Sequence, residues 1–229
     1  MKNVVVYGQN KQGRDLFCTD IHGCFDLLQQ ELDKVSFCPK KDRLFVGGDN
    51  INRGAQSDWI LDYINEPWFI SVRGNHEQMV VDYIEALVEQ EEDRENLAVR
   101  MLYFNGGEWF FDQPWSKQTA IYESFKSLPL GIELTSRSGK RVGVVHAQCP
   151  FSDWGTFKEM SWEGAEATAL WARGKYDYPE RFDDVVRGVD ILLTGHTITE
   201  SQEVEKIGNQ WYCDVGSFVH DKLALIEIE

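Results

Sequence analysis

Short apolar runs that stop abruptly at a glycine, an acid or a histidine recur along this chain, and they constrain its fold more than any other feature. Arg43-Leu44-Phe45-Val46 runs into Gly47-Gly48-Asp49-Asn50-Ile51-Asn52-Arg53-Gly54, and Trp68-Phe69-Ile70-Ser71-Val72 runs into Arg73-Gly74-Asn75-His76-Glu77. Leu16-Phe17-Cys18-Thr19 ends at Asp20-Ile21-His22-Gly23, Val142 to Val145 ends at His146, and Ile191-Leu192-Leu193-Thr194 ends at Gly195-His196. Runs of this kind read as buried β-strands, so the polar groups behind them collect at the rim of a sheet, where open α/β folds bind ligands. A strand-to-helix turn with Asn75 as helix cap and His76 solvated would explain any one ending. It does not explain the set, because four of the five histidines follow apolar strands in this way and only His220 does not.

The segments between the strands predict how the rims meet. Phe25, Leu28, Leu32 and Val35 fall at steps of three and four, which predicts an amphipathic helix from Phe25 to Val35, and Gln56 to Asn65 reads as a second helix. Strand, helix, strand, helix, strand is the pattern of a parallel sheet with right-handed crossovers, which brings Asp20, Asp49 and Asn75 to one edge. Val4 to Tyr7 reads as a strand that joins Leu16 to Thr19 through the polar turn Gln9 to Arg14, and Leu130 to Thr135 pairs with Val142 to Val145 about a hairpin turn at Ser136 to Lys140. Gln78 to Leu87 is helix-like, and Val80 to Arg100 is helical by pattern, its acidic run from Glu89 to Glu95 a solvated face. The aromatic, glycine-containing tract Phe104 to Trp115 reads as packing around a loop, with a stacking site for a base as the alternative. Phe151 to Arg187 reads as helical or loop cover over the site, and strands close the chain near Glu203 to Lys206, Gln210 to Asp214 and Leu223 to Ile228.

With 229 residues, 42% of them hydrophobic, the chain is expected to form one domain over 1–229. Its 38 acidic and 23 basic residues give a formal charge of −15, which argues against a nucleic-acid partner and against an anionic membrane surface. A phosphorylated substrate is still compatible, since a few ions and arginines at short range outweigh a diffuse, screened surface charge. The five cysteines are odd in number and contain no CxxC pair, as expected of reduced thiols in a cytoplasmic protein; Cys149, close to His146, reads as an ordinary thiol. No apolar run approaches the ~18 residues that would span a bilayer.

Each polar ending has a chemical use. Asp20 and His22, two apart in an extended segment, can reach one point in space. Asp49 stands at a strand end between glycines as a metal ligand, with Arg53 four residues on as a phosphate clamp. Asn75 offers a carbonyl oxygen to a hard metal, His76 can carry a proton, Arg73 can hold an anion, and Arg173 is a second candidate anion clamp. A donor set of imidazole and oxygen without thiolate suits Mn, Fe, Zn or a related divalent pair.

In order along the chain, DIHG at Asp20, GDNINRG at Gly48, RGNHE at Arg73, HA at His146 and GHT at Gly195 resemble the motifs of the PPP metallophosphatase family. The likeness is to the branch containing the bacteriophage lambda phosphatase and its bacterial relatives, and it extends over nearly the whole chain. It implies a four-layer α/β/β/α fold, a central β-sandwich flanked by helices, with a dinuclear metal centre. Asp20, His22 and Asp49 would hold one ion, and Asn75, His146, His196 and the bridging Asp49 the other, with Mn first in line and Fe, Zn or Ni as alternatives. Arg53, Arg173 and Arg73 match phosphate-binding positions, and His76 matches the proton donor. The implied activity is hydrolysis of phosphoserine and phosphothreonine, with phosphotyrosine as a further substrate, in phosphoproteins or small phosphate esters by direct attack of a metal-bridging hydroxide. A diadenosine-tetraphosphate-type hydrolase and a weakly active phosphate-binding module are the competing readings. The second is motivated by Asn52 alone, which stands where the family pattern GDxxDRG has an acid. The Asn52 amide oxygen is expected to accept the His76 N–H without stabilising the ring's charge, and so to lower the His76 pKa.

Overall fold

The strands that carry the candidate ligands are buried on both faces, so their side chains alternate between two different cores. In the computed structural model, which describes residues 3–183 and 185–229, the strands are β1 Val4–Tyr7, β2 Asp15–Cys18, β3 Arg43–Val46, β4 Phe69–Ser71, β5 Gly131–Thr135, β6 Arg141–Val145, β7 Ile191–Thr194, β8 Glu205–Ile207, β9 Gln210–Tyr212 and β10 Ile226–Glu227. The helices are α1 Phe25–Lys34, α2 Ile60–Ile64, α3 Asn75–Glu89, α4 Glu92–Phe104, α5 Trp115–Lys126, α6 Trp154–Glu159, α7 Trp162–Trp171, α8 Gly174–Asp177 and α9 Ser217–His220. One sheet has the order β10-β2-β3-β4 and the other β1-β5-β6-β7-β9-β8.

The strand period of two sorts residues into layers. Leu16, Cys18, Leu44 and Val46 point outward onto Phe25, Leu28, Ile60, Val80, Ile84 and Phe125 of the first helical layer. Their alternates Phe17 and Phe45 point inward and meet Ile132, Leu134, Val142, Val144 and Leu193 of the second sheet. On the far side, Val145 and Leu192 pack with Trp154, Phe157, Ala165, Ala169 and Leu170 of α6 and α7. The result is helix, sheet, sheet, helix, the four layers that the resemblance implies.

As the pattern predicts, β2, β3 and β4 run parallel, with Cys18 opposite Val46 and Val46 opposite Ser71. Their C-terminal ends therefore lie in a row. The β5–β6 hairpin turns at Ser136 to Lys140 as expected, with the Ser136 N–H donating to the Lys140 carbonyl. The two strands around the polar turn Gln9 to Arg14 form as expected, in different sheets. β1 pairs with β5 in the second sheet, and the intervening loop, tied by Asn10 Oδ1 to the N–H groups of Gln12 and Gly13, crosses from one layer to the other. Val80 to Arg100 is helical as expected, in two helices. It breaks at Gln90, whose left-handed backbone (φ 59°) ends α3, and the acidic run then supplies the first turn of α4, where Glu92, Asp93 and Glu95 favour a helix N-terminus.

Helices α6 and α7 supply the outer layer of the second sheet. Asp153 caps α6 by accepting the Thr156 N–H at 2.8 Å, and Ser161 caps α7 by accepting that of Gly164 at 3.3 Å. Trp154 is fully buried and its indole N–H donates to Glu133 on β5 at 2.8 Å. Trp154→Ala is expected to lower stability by about 3–5 kcal/mol. A urea denaturation series on the metal-free protein reads this as a fall in midpoint at unchanged slope.

Candidate metal centre

The hydrogen bonding of β2 with β3 continues past the strands. The Asp20 N–H donates to Gly48 O at 3.0 Å, His22 N–H to Asp49 O at 2.9 Å and Gly23 N–H to Asn50 O at 2.9 Å, so the two ligand-bearing loops are zipped together. They bend through the left-handed region at Asp20 (φ 51°), His22 (48°) and Asp49 (53°), as the chain does at His196 (66°). Non-glycine residues held there cost on the order of 1–3 kcal/mol each, and such positions cluster at functional sites.

A third loop is joined to these by one carboxylate. Glu77, fully buried in the first turn of α3, accepts the N–H groups of Asp49 (2.9 Å), Asn50 (2.8 Å) and Gly74 (2.8 Å). Burial pushes its carboxyl up, and these donors pull it back. Asp49 Oδ1 accepts the His76 N–H at 2.9 Å, which leaves Oδ2 turned to His146 Nε2 (3.5 Å), His76 Nε2 (3.7 Å) and His22 Nε2 (3.8 Å). Gly74 is required here, because a Cβ would lie 2.2 Å from Asp49 Oδ1.

Backbone carbonyls set the ring orientation of three histidines. His22 Nδ1 meets Ile51 O at 3.1 Å, His146 Nδ1 meets Gly47 O at 2.7 Å and His196 Nε2 meets Trp171 O at 3.2 Å. Each of those nitrogens must therefore carry the hydrogen, and the other presents a lone pair. His146 Nε2 then faces Asn75 Oδ1 at 2.9 Å and His196 Nδ1 at 3.2 Å, with Asp49 Oδ2 close by. The lone pairs of these buried acceptors converge with no ring N–H between them, and a cation would satisfy them. Asp49, His146 and His196 form one compact group and His22, Asp49 and His76 another. Asp20 lies 3.9 Å from His22 Nε2, and its two oxygens accept the His196 N–H at 3.1 and 3.0 Å. The donor set of buried imidazole and carboxylate groups thus fits divalent metal ions, although the compact groups take in His76 and leave Asp20 outside.

The electrostatics agree. Burial pushes His22 and His146 down to about 3 and His196 to about 2, so these rings are neutral ligands at ordinary pH. Burial, with neighbouring carboxylates, holds Asp20 and Asp49 well above the usual carboxylate range. Such carboxyls bind a metal only by losing their protons.

Arg53 and Arg173 are exposed at the mouth. The Arg53 guanidinium lies 4.4 Å over the Phe218 ring and 3.2 Å from His22 Nε2, while the charge of Arg173 reaches His146 and His196 and lowers both. Arg73 is not brought to the cluster. It is buried, donating to Gln78 Oε1 at 2.7 Å and Lys126 O at 2.6 Å and lying 4.4 Å over Trp162, contacts that link α3, α5 and α7. Asn52 lies beside His76 as expected, but the Asn52 oxygen does not face the ring. That oxygen accepts the Trp109 indole N–H at 2.8 Å, and Nδ2 is 2.9 Å from His76 Nδ1.

Sequence reasoning missed three residues. Glu77 had a signal, an acid three residues after Gly74 at a helix start. Asp214, buried and pushed up to about 6 chiefly by burial, adds a carboxylate beside Asp20 and Asp49; it follows β9 just as Asp20 follows β2. Trp109 had none beyond its place in an aromatic tract.

Residues 14–200 match the family described as calcineurin-like phosphoesterase. The chain belongs to that family. Among its relatives, serine/threonine-protein phosphatase 2 of Escherichia coli K12 is 34% identical over 214 residues, 92% of this chain and 90% of that one. Serine/threonine-protein phosphatase 1 of Salmonella typhimurium is 30% identical over 216 residues, 92% and 89% of the two chains. The symmetrical bis(5'-nucleosyl)-tetraphosphatase of Haemophilus ducreyi is 43% identical, but over 60 residues, 25% of this chain and 22% of that one. In fold the phosphoesterase is similar to a cold-active protein-tyrosine phosphatase of a psychrophilic Shewanella, with a TM-score of 0.64 at 18% identity over 99% of this chain and 78% of that chain.

Proton counting tests the electrostatics of this phosphoesterase centre. The raised carboxyls predict proton release on metal binding at pH 6, shrinking as pH rises and the carboxyls ionise beforehand, with no contribution from the already neutral imidazoles. Calorimetric titration with Zn in buffers of differing ionisation enthalpy measures it, and zero release at pH 6 contradicts it.

Proposed function

We propose that this chain is a metal-dependent phosphoprotein phosphatase acting on phosphoserine and phosphothreonine, with phosphotyrosine as a further substrate, and that residues 1–229 work as one domain. The observation that carries the reading is the buried cluster in which acceptor atoms of Asp49, Asn75, His146 and His196 converge, with two exposed arginines beside it. The relatives named as serine/threonine-protein phosphatases over 92% of the chain support it.

Asp20, His22 and Asp49 would hold one divalent ion and Asn75, His146, His196 and Asp49 the other, with Mn as our choice of metal. Bound ions would supply a nucleophilic water at neutral pH and positive charge for the phosphate oxygens. The chain's own groups do the rest. Arg53 and Arg173 bind and orient the phosphate, and Arg53 is steadied by the Phe218 ring. His76, with Nε2 at the edge of the cluster, faces the departing oxygen. A cytoplasmic setting agrees with five free cysteines, and no described helix is long and apolar enough to cross a membrane.

The local likeness to tetraphosphatases keeps a dinucleotide polyphosphate hydrolase as the second reading. Assays of a phosphoserine peptide, an aryl phosphate and diadenosine tetraphosphate, metal-stripped and then with Mn restored, separate the two. Mn-dependent turnover of the phosphate monoesters above that of the dinucleotide is expected; the reverse order, or binding of the peptide without turnover, would overturn the reading. Asp49→Asn, which weakens the ligand shared by both ions, is expected to lower kcat/KM by at least ~10²-fold. Arg53→Ala should act mainly on KM for small phosphates.

A further inference from the structure

An indole N–H can only donate a hydrogen bond, and this fixes more of the site than its immediate contact. Trp109 Nε1 donates to Asn52 Oδ1 at 2.8 Å, so the group 2.9 Å from His76 Nδ1 is the amide NH2. An NH2 offers hydrogens only, so Nδ1 accepts, and the neutral ring carries its hydrogen on Nε2. The polarity is opposite to that of the other three histidines. They donate to backbone carbonyls and turn lone pairs into the site, whereas His76 turns an N–H into it, with Nε2 3.7 Å from Asp49 Oδ2.

The arrangement is held from both sides. Asn52 is fully buried, takes the left-handed backbone (φ 72°) that asparagine tolerates, and its N–H donates to Ser57 Oγ at 2.8 Å. The loop that brings Trp109 is pinned to the same turn, since the Arg53 N–H donates to Gly106 O at 3.1 Å and a Cβ on Gly106 would lie 2.7 Å from Arg53 N. A second hydrogen on His76 Nδ1 would set N–H against N–H across this contact.

We propose that Trp109 is a positioning residue, which through the Asn52 amide fixes His76 as an Nε2–H donor and so raises turnover of phosphates on weakly basic leaving oxygens, as in aryl phosphates, relative to phosphoserine and phosphothreonine. The leaving-group half rests on the phosphatase reading; the hydrogen-bond half does not. In the reaction a water oxygen forms the new bond to phosphorus as the bond to the leaving oxygen breaks, and that oxygen keeps the electron pair. A phenolic oxygen, with a pKa of about 10, departs as the anion, accepts the His76 Nε2–H bond and takes its proton from solvent. The His76 hydrogen stays on the ring. A serine or threonine oxygen, nearly as basic as hydroxide, gains much less from a donor that cannot hand over its proton.

Two readouts test the two halves. In two-bond ¹H–¹⁵N spectra of histidine-labelled, Zn-loaded protein, with His76 assigned by its loss in His76→Gln, the native protein should show the Nε2–H form. Asn52→Asp, whose carboxylate accepts from both neighbours, should place a hydrogen on Nδ1, and Trp109→Phe, which frees the amide to turn, should give a mixture. A native Nδ1–H signal would overturn the relay. In Mn-loaded protein, Asn52→Asp should lower the ratio of aryl-phosphate to phosphoserine-peptide kcat/KM by at least ~10-fold, and Trp109→Phe should move it the same way. An unchanged ratio in Asn52→Asp overturns the leaving-group half even if Trp109→Phe fails to fold. Absence of turnover of either ester by the native protein defeats the phosphatase reading instead, and the spectra still decide the relay.

Discussion

The centre depends on the Glu77 carboxylate. It is an ionisable group with no access to solvent, and it is tolerable there because three backbone N–H groups from two loops point at it. Those bonds fix where the β3 loop passes the start of α3, and hence where Asp49 and Asn75 stand relative to each other. Its place in the first turn also lets it interact with the positive end of the α3 dipole. One side chain therefore sets a turn, starts a helix and spaces two candidate ligands.

Much of this was legible in the chain because it is written in local periods. β3 spans Arg43–Val46 and α1 buries Phe25, Leu28 and Leu32, as alternation and the three-four spacing require. The rim residues Asp20, His22, Asp49, Asn75, His146 and His196 stood out because a polar group after a buried strand has few other uses. What stayed hidden depends on contacts distant in sequence. Nothing in Val4 to Tyr7 says which sheet it joins, since that is decided by its partner Gly131 to Leu134. Nor does the sequence show that Gln78, the Lys126 carbonyl and Trp162 lie against the Arg73 guanidinium. The Asn52 amide could have faced His76 with either end, and the choice was made by Trp109, 57 positions away.

The site sits against the protein's overall charge. A chain of formal charge −15 gathers three buried carboxylates, Asp20, Asp49 and Asp214, around one point, where their mutual repulsion and lost hydration oppose ionisation. Without cations this arrangement resists its own charge, and the left-handed backbone at four ligands adds to the cost. The surrounding sheets must hold the geometry ready, which the fully buried alternation of Phe17 and Phe45 against Ile132, Val142 and Val144 does.

His146 and His196 come from the second sheet, whereas Asp20, His22, Asp49 and Asn75 come from the first. The donor atoms therefore span the seam between two layers, and the side chains packed in that seam act as the spacer of a calliper. Exchanging one of them for a larger or smaller residue moves one jaw against the other, so mutations far from the candidate site can alter the spacing of its donor atoms without touching any of them. Substitutions in this interior are then felt at the centre, through the distances they set between donors of the two sheets.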